Sequence, residues 1–589
     1  MTTLRPPSSL AATPGVGQVT LTWPTVPDAV GYVVHHGPSP DDLSPLDHGG
    51  GDLLVVPALP YADSRREAGG WYAVASVRSI EDGHGEPGVP VRAEPLPHDP
   101  DRPFPVVAVR VGAADRRGPL PRPWRTCIGS EHLSHLLCED ETGGRPIGAE
   151  SVAALARVHD DIGVRRVRAH GTLGDDLGVY TEDADGLPQH DFSRLDDVLD
   201  TVLSTGMRPV LELGFTPRAL GAEPWHEITA AGLANPPADL DRWAGLVEAF
   251  TAHLRERFGD EELARGWALE VWNEPNLGCF WLGDQADYLR LFDATVAAAR
   301  RAHPDLPLAG PATAAVGWLD ALLQHCKESG SPLDILTPHA YGIPPLDVRP
   351  VLDRFGRGDV AVWWTEWGPT PTHFHPVNDH PWVAPFTARG MLAAARAGAE
   401  VACWVSSDHF EELGRPPRLV HGGFGLLSVG NLAKPRFWSL FALEQLGDDE
   451  LASEVTGDGA ESLVQAWASA DGDRTAVAVW NGSLQQHDWN VPREDLRRTV
   501  TLEVDGLRPG VYGVRHRRVD EEHSHLGRHA ADLGVTEWPD EQQWQALRER
   551  DTFADLPCAP VEVGDNGTAT LLLDLPTNAL SLVELEPQP

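Results

Sequence analysis

A chain of 589 residues is too long to form a single hydrophobic core, so several domains are expected. Its formal net charge of −40 argues against nucleic acid or an anionic membrane as a partner. No apolar run approaches the roughly 18 residues of a membrane span, and no apolar signal core follows the N-terminus, so a cytoplasmic location is expected. The six cysteines are scattered without a CxxC pair, which argues against a zinc site and a disulfide framework.

Residues 1–96 have the pattern of a small β-sandwich. Runs at 19–23, 31–37 and 70–77 predict strands, and turn-rich segments separate them. With an N-terminal proline, a Trp on an early strand and a Tyr on a late one, this module resembles a fibronectin type III domain. Residues 97–122 are interpreted as a linker that contributes a strand to an accessory sheet.

Between residues 123 and 448, short apolar strands alternate with amphipathic helices. This alternation predicts parallel βα units and therefore an α/β fold. Eight such strands over roughly 300 residues predict a (β/α)8 TIM barrel, whose catalytic residues stand at the C-terminal ends of the strands. The predicted strands are 124–130, 164–170, 208–215, 267–274, 306–311, 334–341, 360–367 and 401–407.

In residues 449–589, apolar and polar residues again alternate with a period of two. Alternating runs at 462–467, 475–480 and 498–504 predict a C-terminal β-sandwich. A helical pattern at about 539–550 predicts an insert between its strands.

Two predicted barrel strands carry a glutamate at their C-terminal ends. Glu274 ends the fourth strand, where Pro275 interrupts regular structure, and Glu366 ends the seventh. Because the strand ends of a barrel meet at one mouth, the two carboxylates are expected to face each other across a sugar. Retaining glycosidases use such a pair, with the carboxyl groups about 5–5.5 Å apart. For either glutamate alone, a buried structural acid is the alternative.

The motifs around these glutamates resemble glycoside hydrolase family 39, a family of retaining barrel enzymes that includes β-xylosidases and α-L-iduronidase. The resemblance covers about 106–560 and leaves the N-terminal module outside. The runs that carry it are IGSEH (128–132), VRAHG (167–171), GMRPVLELGF (206–215), WNEPNL (272–277), TPHAY (337–341), SSDHFEE (406–412), HGGFGLL (421–427) and VRHRRVDEEHS (514–524).

The resemblance implies a role for each of the central polar residues. Glu274 would be the general acid/base and Glu366 the nucleophile. Asn273 would bond the 2-hydroxyl of the sugar, an interaction that strengthens in the transition state. Arg168 would lie beside Glu366 and favour its ionised form, and Tyr341 would donate a hydrogen bond to the same carboxylate.

Further side chains are expected to contact the sugar. A tryptophan on the eighth strand would form a stacking platform, and two glutamates after that strand could bind the distal hydroxyls. Histidines on strands one, two and six would stand at the mouth or the floor. These predicted substrate-binding residues are His132, His170, His339, Trp404, Glu411 and Glu412.

The predicted activity is that of an exo-acting β-xylosidase, which releases xylose with retention. The same mechanism on an α-L-iduronide, a β-galactoside, an α-L-arabinopyranoside or a β-glucoside is the alternative. A uronate would need cations to pair its carboxylate, and Arg415 and Arg418 are the candidates near strand eight. The segment at 410–412 and the negative net charge favour the xylosidase branch and a neutral sugar.

A non-catalytic carbohydrate-binding protein is the alternative of another class. The presence of both glutamates, together with Asn273 and Arg168, argues against it. No HExxH grouping exists in the sequence, and neither a metal ion nor another cofactor is predicted. The expected partner is a small carbohydrate, and the family resemblance is compatible with a homo-oligomer.

Overall fold

Two antiparallel sheets form the N-terminal module. The computed structural model describes residues 4–49, 53–228, 232–409 and 414–588. One sheet has the order β1-β2-β6, and in the other β4-β3-β7-β8 are consecutive while β5 also pairs with β3. The strands are β1 (Ala11–Gly15), β2 (Gln18–Thr22), β3 (Gly31–Ser39), β4 (Asp42–Pro45), β5 (Val55–Val56), β6 (Tyr61–Asp63), β7 (Gly70–Val77) and β8 (Val91–Ala93).

Strand β9 (Val106–Pro119) connects this module to the barrel but does not belong to either. It lies inside the sheet that the C-terminal part of the chain forms, between one antiparallel and one parallel neighbour. Its alternate residues Val107, Val109 and Val111 are buried in the core of that sheet.

The predicted resemblance of the N-terminal module to a fibronectin type III domain stays a prediction.

Eight parallel strands close into a barrel, which confirms the predicted (β/α)8 fold. Their order is β10-β13-β16-β19-β20-β21-β22-β23. The barrel strands are β10 (Cys127–His132), β13 (Arg166–His170), β16 (Arg208–Glu212), β19 (Ala268–Glu270), β20 (Leu308–Thr313), β21 (Ile335–Tyr341), β22 (Ala361–Gly368) and β23 (Glu400–Cys403). Three short hairpins lie in the loops: β11 (Glu141–Thr142) with β12 (Arg145–Pro146), β14 (Tyr180–Glu182) with β15 (Pro188–His190), and β17 (Glu227–Ile228) with β18 (Gly232–Leu233).

Helices surround the barrel. They are α1 (Ile147–Ile162), α2 (Ser193–Ser204), α3 (Leu240–Leu263), α4 (Gln285–Ala302), α5 (Leu319–Ser329), α6 (Arg349–Phe355), α7 (Val383–Ala397) and α8 (Pro435–Glu444). Most bury one face, whereas α7 and α8 are buried on nearly all sides. Buried apolar side chains from six strands form a separate cluster in the barrel: Cys127, Val210, Ala268, Ala309, Ile335 and Ala402. None of the described helices combines the length and the apolarity that a bilayer crossing requires.

The C-terminal part of the chain completes a ten-stranded sheet around β9. The order is β29-β28-β32-β26-β25-β24-β9-β27-β31, and β30 pairs with β28. Its strands and helices are β24 (Asp449–Gly457), β25 (Val464–Asp471), β26 (Arg474–Asn481), β27 (Arg498–Asp505), β28 (Gly510–Val519), α9 (Leu526–Asp532), α10 (Glu541–Arg550), β29 (Ala554–Leu556), β30 (Val561–Val563), β31 (Ala569–Leu575) and β32 (Ala579–Pro587).

The structure shortens several of the predicted barrel strands, and the first and fourth show why. The first begins at Cys127 because Pro123–Arg125 forms a 3-10 turn, in which a proline is well accommodated. The fourth ends at Glu270, four residues before Glu274. The chain between Glu270 and Glu274 is therefore irregular, and it carries the first of the two glutamates into the barrel mouth.

Candidate active site

Glu274 and Glu366 stand together at the C-terminal mouth of the barrel. One carboxylate oxygen of each lies within 4.8 Å of the other, and both side chains are almost fully buried. Inverting glycosidases separate their carboxyl groups by about 6.5–9.5 Å, so that a water molecule fits between the sugar and the base. The shorter separation here fits direct attack by one carboxylate and proton transfer by the other.

Backbone conformation after β19 brings Glu274 into this position. Trp272 and Glu274 have φ values of 70° and 41°, in the left-handed region that residues with a Cβ rarely adopt. The Trp272 indole donates to the Phe280 carbonyl at 3.0 Å, and the Glu274 amide donates to the Ala312 carbonyl at 2.7 Å. These contacts hold the turn, so the acid projects into the cavity from a fixed backbone.

Arg168 on β13 holds the nucleophile candidate. Its fully buried guanidinium donates to Glu366 Oε1 at 2.6 Å, to Glu270 Oε2 at 2.7 Å and to Asn273 Oδ1 at 2.8 Å. Burial opposes its charge, but the carboxylates of Glu270, Glu212 and Glu366 together raise the pKa of Arg168. The arginine is thus a permanent cation that favours the ionised form of Glu366.

Asn273 is oriented by the same arginine. Because its amide oxygen accepts from Arg168, its NH2 group remains to donate to a ligand. The side chain is buried and lines the same cavity as the two glutamates. This placement suits a contact with a sugar hydroxyl next to the reacting carbon.

Tyr341 on β21 supports Glu366 from the other side. Its hydroxyl donates to Glu366 Oε2 at 2.7 Å, whereas Arg168 holds Oε1. Burial and then the negative charge of Glu366 raise the pKa of the Tyr341 phenol well above its usual value, so it remains a donor. Both oxygens of the carboxylate are therefore fixed, and their orientation is set before a substrate binds.

His339 connects Glu274 to a buried relay. Its Nδ1 lies 3.1 Å from Glu274 Oε1 and its Nε2 lies 3.0 Å from the Thr365 hydroxyl, which donates to Glu270 at 2.8 Å. Burial is the main cause that lowers the pKa of His339 to about 4, so the ring is neutral near pH 7.

The relay determines which ring nitrogen of His339 carries the proton. Because the Thr365 hydroxyl uses its hydrogen toward Glu270, it can only accept from His339, and Nε2 must be protonated. The neutral ring then presents a lone pair on Nδ1 to Glu274. A hydrogen bond at that place requires a protonated carboxyl group, which is the form that a general acid needs.

Replacing Thr365 by valine is expected to shift the pH dependence of catalysis. Without the hydroxyl, the neutral His339 ring can carry its hydrogen on Nδ1 and donate it to ionised Glu274, which lowers the pKa of the acid. For a substrate whose leaving oxygen must be protonated, the basic limb of kcat/KM should move to lower pH, with a loss on the order of tenfold at pH 7. A pH–rate profile measures both effects.

Thr251→Val is the matched control for that variant. Thr251 is equally buried, but its hydroxyl bonds the Val247 carbonyl within helix α3. Its pH profile should coincide with that of the unmodified protein. An unshifted basic limb in Thr365→Val would contradict the proposed proton arrangement.

A cavity of about 360 Å3 lies in front of the two glutamates. Trp404, at the end of β23, forms one wall, and its ring packs against His170 with 5.0 Å between the ring centroids. The ring also lies 5.5 Å from the Arg168 guanidinium. Gly129 on β10 is required by this ring, because a Cβ at that position would lie 2.2 Å from it. The cavity thus has an aromatic wall next to its charged floor.

The structure brings most of the predicted site residues together. Asn273, His170, Tyr341 and Trp404 line the cavity with the two glutamates, and Arg168 and His339 contact those glutamates directly. His132 is buried against His170, with 6.1 Å between the ring centroids, and is not among the cavity-lining residues. Glu411 and Glu412 lie outside the described residues, so their predicted contacts stay predictions.

Sequence reasoning missed Glu270 and Thr365, which organise the acid/base relay. A signal was present, because a carboxylate within an apolar barrel strand needs a buried partner, and Arg168 stands within a similar strand. Glu212 accepts a hydrogen bond from His170 and lies 3.4 Å from the Arg168 guanidinium. Phe424, which lines the cavity from a loop, had no comparable signal.

Glu274, His339 and Glu366 are also close enough to one another to hold a metal ion. Both oxygens of Glu366 already accept hydrogen bonds, from Arg168 and from Tyr341. An ion at this place would stand beside the buried Arg168 charge. The contacts therefore suit a nucleophile better than a metal ligand.

Comparison with known proteins assigns the chain to a family. The sequence profile of glycosyl hydrolases family 39 matches residues 107–348 and 344–566. The chain belongs to glycoside hydrolase family 39. As a family 39 glycoside hydrolase, it carries the predicted glutamates within the matched region, whereas its N-terminal module precedes that region.

Several relatives of this family 39 chain are β-xylosidases. One from Caldicellulosiruptor saccharolyticus is 30% identical over 375 residues, which are 59% of this chain and 74% of the relative. Another, from Geobacillus stearothermophilus, is 28% identical over 503 residues, covering 79% and 92%. The crystal structure of a monomeric β-xylosidase from Caulobacter crescentus CB15 superposes with a TM-score of 0.70 at 29% identity, covering 82% of this chain and all of that one.

Proposed function

We propose that the protein is a retaining, exo-acting β-xylosidase with Glu366 as nucleophile and Glu274 as acid/base. The observation that carries the proposal is the pair of carboxylates within 4.8 Å of each other in one cavity. The family membership and the similarity to β-xylosidases support the choice of xylose as the released sugar.

In the first step, Glu366 attacks the anomeric carbon while Glu274 gives its proton to the leaving oxygen. The glycosidic bond breaks as the bond between Glu366 and the sugar forms. In the second step, ionised Glu274 takes a proton from water, and the oxygen of that water displaces Glu366 from the sugar. Two inversions at the same carbon give net retention.

The charges around the cavity favour a neutral sugar. Among the described residues that line it there is neither a lysine nor an arginine. Arg415 donates to the Thr142 hydroxyl and to the His409 carbonyl, and Arg418 is exposed to solvent. Arg168 is already shared among three carboxylates. A uronate carboxylate would thus lack a cation in the described part of the site.

A panel of p-nitrophenyl glycosides tests the sugar, and proton NMR of the first product tests the stereochemistry. The β-D-xyloside is expected to be cleaved fastest, with β-xylose appearing before its α anomer. An inert xyloside together with rapid cleavage of an iduronide, galactoside, arabinopyranoside or glucoside would refute the sugar assignment. Initial release of α-xylose would refute the retaining mechanism.

A further inference from the structure

One residue that precedes the family-matched region lines the catalytic cavity. Leu53 belongs to the N-terminal module, yet it lines the same cavity as Glu274 and Glu366. Its side chain is buried in the hydrophobic core that the module shares with the barrel. The matched part of the chain therefore does not by itself complete the walls of this cavity.

The module is fixed to the barrel near Leu53. Strand β5, which begins two residues later, pairs with β3 at Val33 and Tyr32. At the adjacent Gly31, a Cβ would lie 2.4 Å from Val55 and 3.3 Å from Leu346, which follows barrel strand β21. Because Gly31 has no side chain, the module can pack closely against the loop that follows β21 and contains Leu346.

The module is also fixed to the C-terminal sheet. The Gln486 amide donates to the His48 carbonyl at 2.7 Å, and the Gln485 side chain bonds the buried Tyr61 hydroxyl at 2.5 Å. The Gln486 side chain bonds the Pro369 carbonyl, also at 2.5 Å, in the loop after the strand of Glu366. The module at His48 is therefore held by Gln486, which also holds this catalytic loop.

The cavity wall next to Glu274 is apolar. Leu277 follows the acid by one turn, with its amide donating to the Glu274 carbonyl at 2.9 Å, and it remains 37% exposed. Ala314 and Ala315 stand beside it, because Asn276 exchanges two hydrogen bonds of 2.9 Å with the Ala314 backbone. Those polar groups are already paired, so this wall presents mainly carbon to a ligand.

The general acid must reach the leaving oxygen, so the leaving group extends past the residues around Glu274. We propose that Leu53, with Leu277 and Ala314, forms a leaving-group subsite that favours an aromatic aglycone over a second sugar. The N-terminal module is then a determinant of specificity. This inference rests on the proposed glycosidase activity but not on the identity of the sugar.

Leu53→Ala tests the subsite through kcat/KM on three xylosides: p-nitrophenyl β-D-xyloside, xylobiose and β-D-xylosyl fluoride. This parameter reports the step in which the leaving group is still bound. Removing the apolar contact should lower the value for the aryl xyloside about tenfold. The value of kcat/KM for xylobiose should change less than about twofold, because its leaving group is polar. The value of kcat/KM for the fluoride should not change, because its leaving group is a single atom.

Leu96→Ala is the matched control, since Leu96 belongs to the same module, is 49% exposed and does not line the cavity. It should leave all three values unchanged. Leu53→Met keeps the side-chain volume and guards against unfolding of the alanine variant; it should retain the aryl preference. Equal losses on all three substrates, or no loss on any, would overturn the inference.

Failure of the proposed sugar is a separate outcome. If the unmodified protein leaves xylosides intact, kcat/KM is measured on the p-nitrophenyl glycoside that it does cleave and on the fluoride of that sugar. The ratio of these two values is then compared between Leu53→Ala and the unmodified protein. A selective loss on the aryl substrate would then still support the Leu53 subsite. An unchanged ratio would overturn it.

Discussion

Replacing Glu366 with alanine is expected to lower kcat for p-nitrophenyl β-D-xyloside on the order of 10^5-fold. Without the carboxylate, no covalent intermediate forms, and water cannot approach the same face at a comparable rate. Arg168 keeps its bond to Glu270, so the fold should survive the change. Steady-state kinetics, with discontinuous assays for the slow variant, measures the loss of kcat. Thermal unfolding verifies that the variant is folded.

Azide distinguishes a missing nucleophile from a damaged site. In Glu366→Ala, azide can enter the space of the carboxylate and attack the anomeric carbon, releasing p-nitrophenolate. The product should be the α-xylosyl azide, because a single displacement inverts the centre. Glu454→Gln, an exposed change on β24, serves as the control and should keep full activity. A Glu366→Ala variant that still turns over at the normal rate would instead support a nucleophile elsewhere.

Replacing Glu274 with alanine is expected to give losses that depend on the leaving group. Xylobiose needs its leaving oxygen protonated, so kcat/KM should fall on the order of 10^3-fold. p-Nitrophenolate leaves without help, so kcat/KM for the aryl xyloside should change less than about tenfold. The second step lacks its base in both cases, and kcat should therefore fall for both.

The slow second step makes the intermediate visible. Mass spectrometry of Glu274→Ala mixed with the aryl xyloside should show a xylosyl group attached through Glu366. Azide should restore turnover and yield the β-xylosyl azide, the opposite anomer to the product of the nucleophile variant. Equal losses for both substrates without an adduct would assign the acid/base role to another residue.

The barrel could be predicted because its strands are apolar runs that alternate with amphipathic helices, and the structure confirms that fold. The ends of strands were harder to predict. Periodicity extended the fourth strand to Glu274, but the strand ends at Glu270 and Trp272 adopts a positive φ. Such a conformation depends on contacts with Phe280 and Ala312, which no local pattern encodes.

The central site residues could be predicted because the motifs that resemble glycoside hydrolase family 39 contain them and lie on or directly after barrel strands. Arg168 lies within β13, His339 and Tyr341 lie in the C-terminal half of β21, and they meet the two glutamates as the barrel closes. Leu53 could not be predicted, because it comes from a separate module and reaches the cavity only through tertiary packing. Sequence patterns describe single elements, whereas the contact between Leu53 and the cavity depends on three parts of the chain.

Strand β9 has a consequence for the order in which the chain folds. Its parallel neighbour β27 lies almost four hundred positions later, as shown by the Arg110–Glu503 pair with a separation of 393 residues. During synthesis, strand β9 with its apolar residues Val107, Val109 and Val111 cannot pair with its neighbours until the last quarter of the polypeptide has left the ribosome. Contacts of such long range make folding slow and leave an open strand edge exposed to association. A fragment that ends with the barrel would keep that edge permanently unpaired.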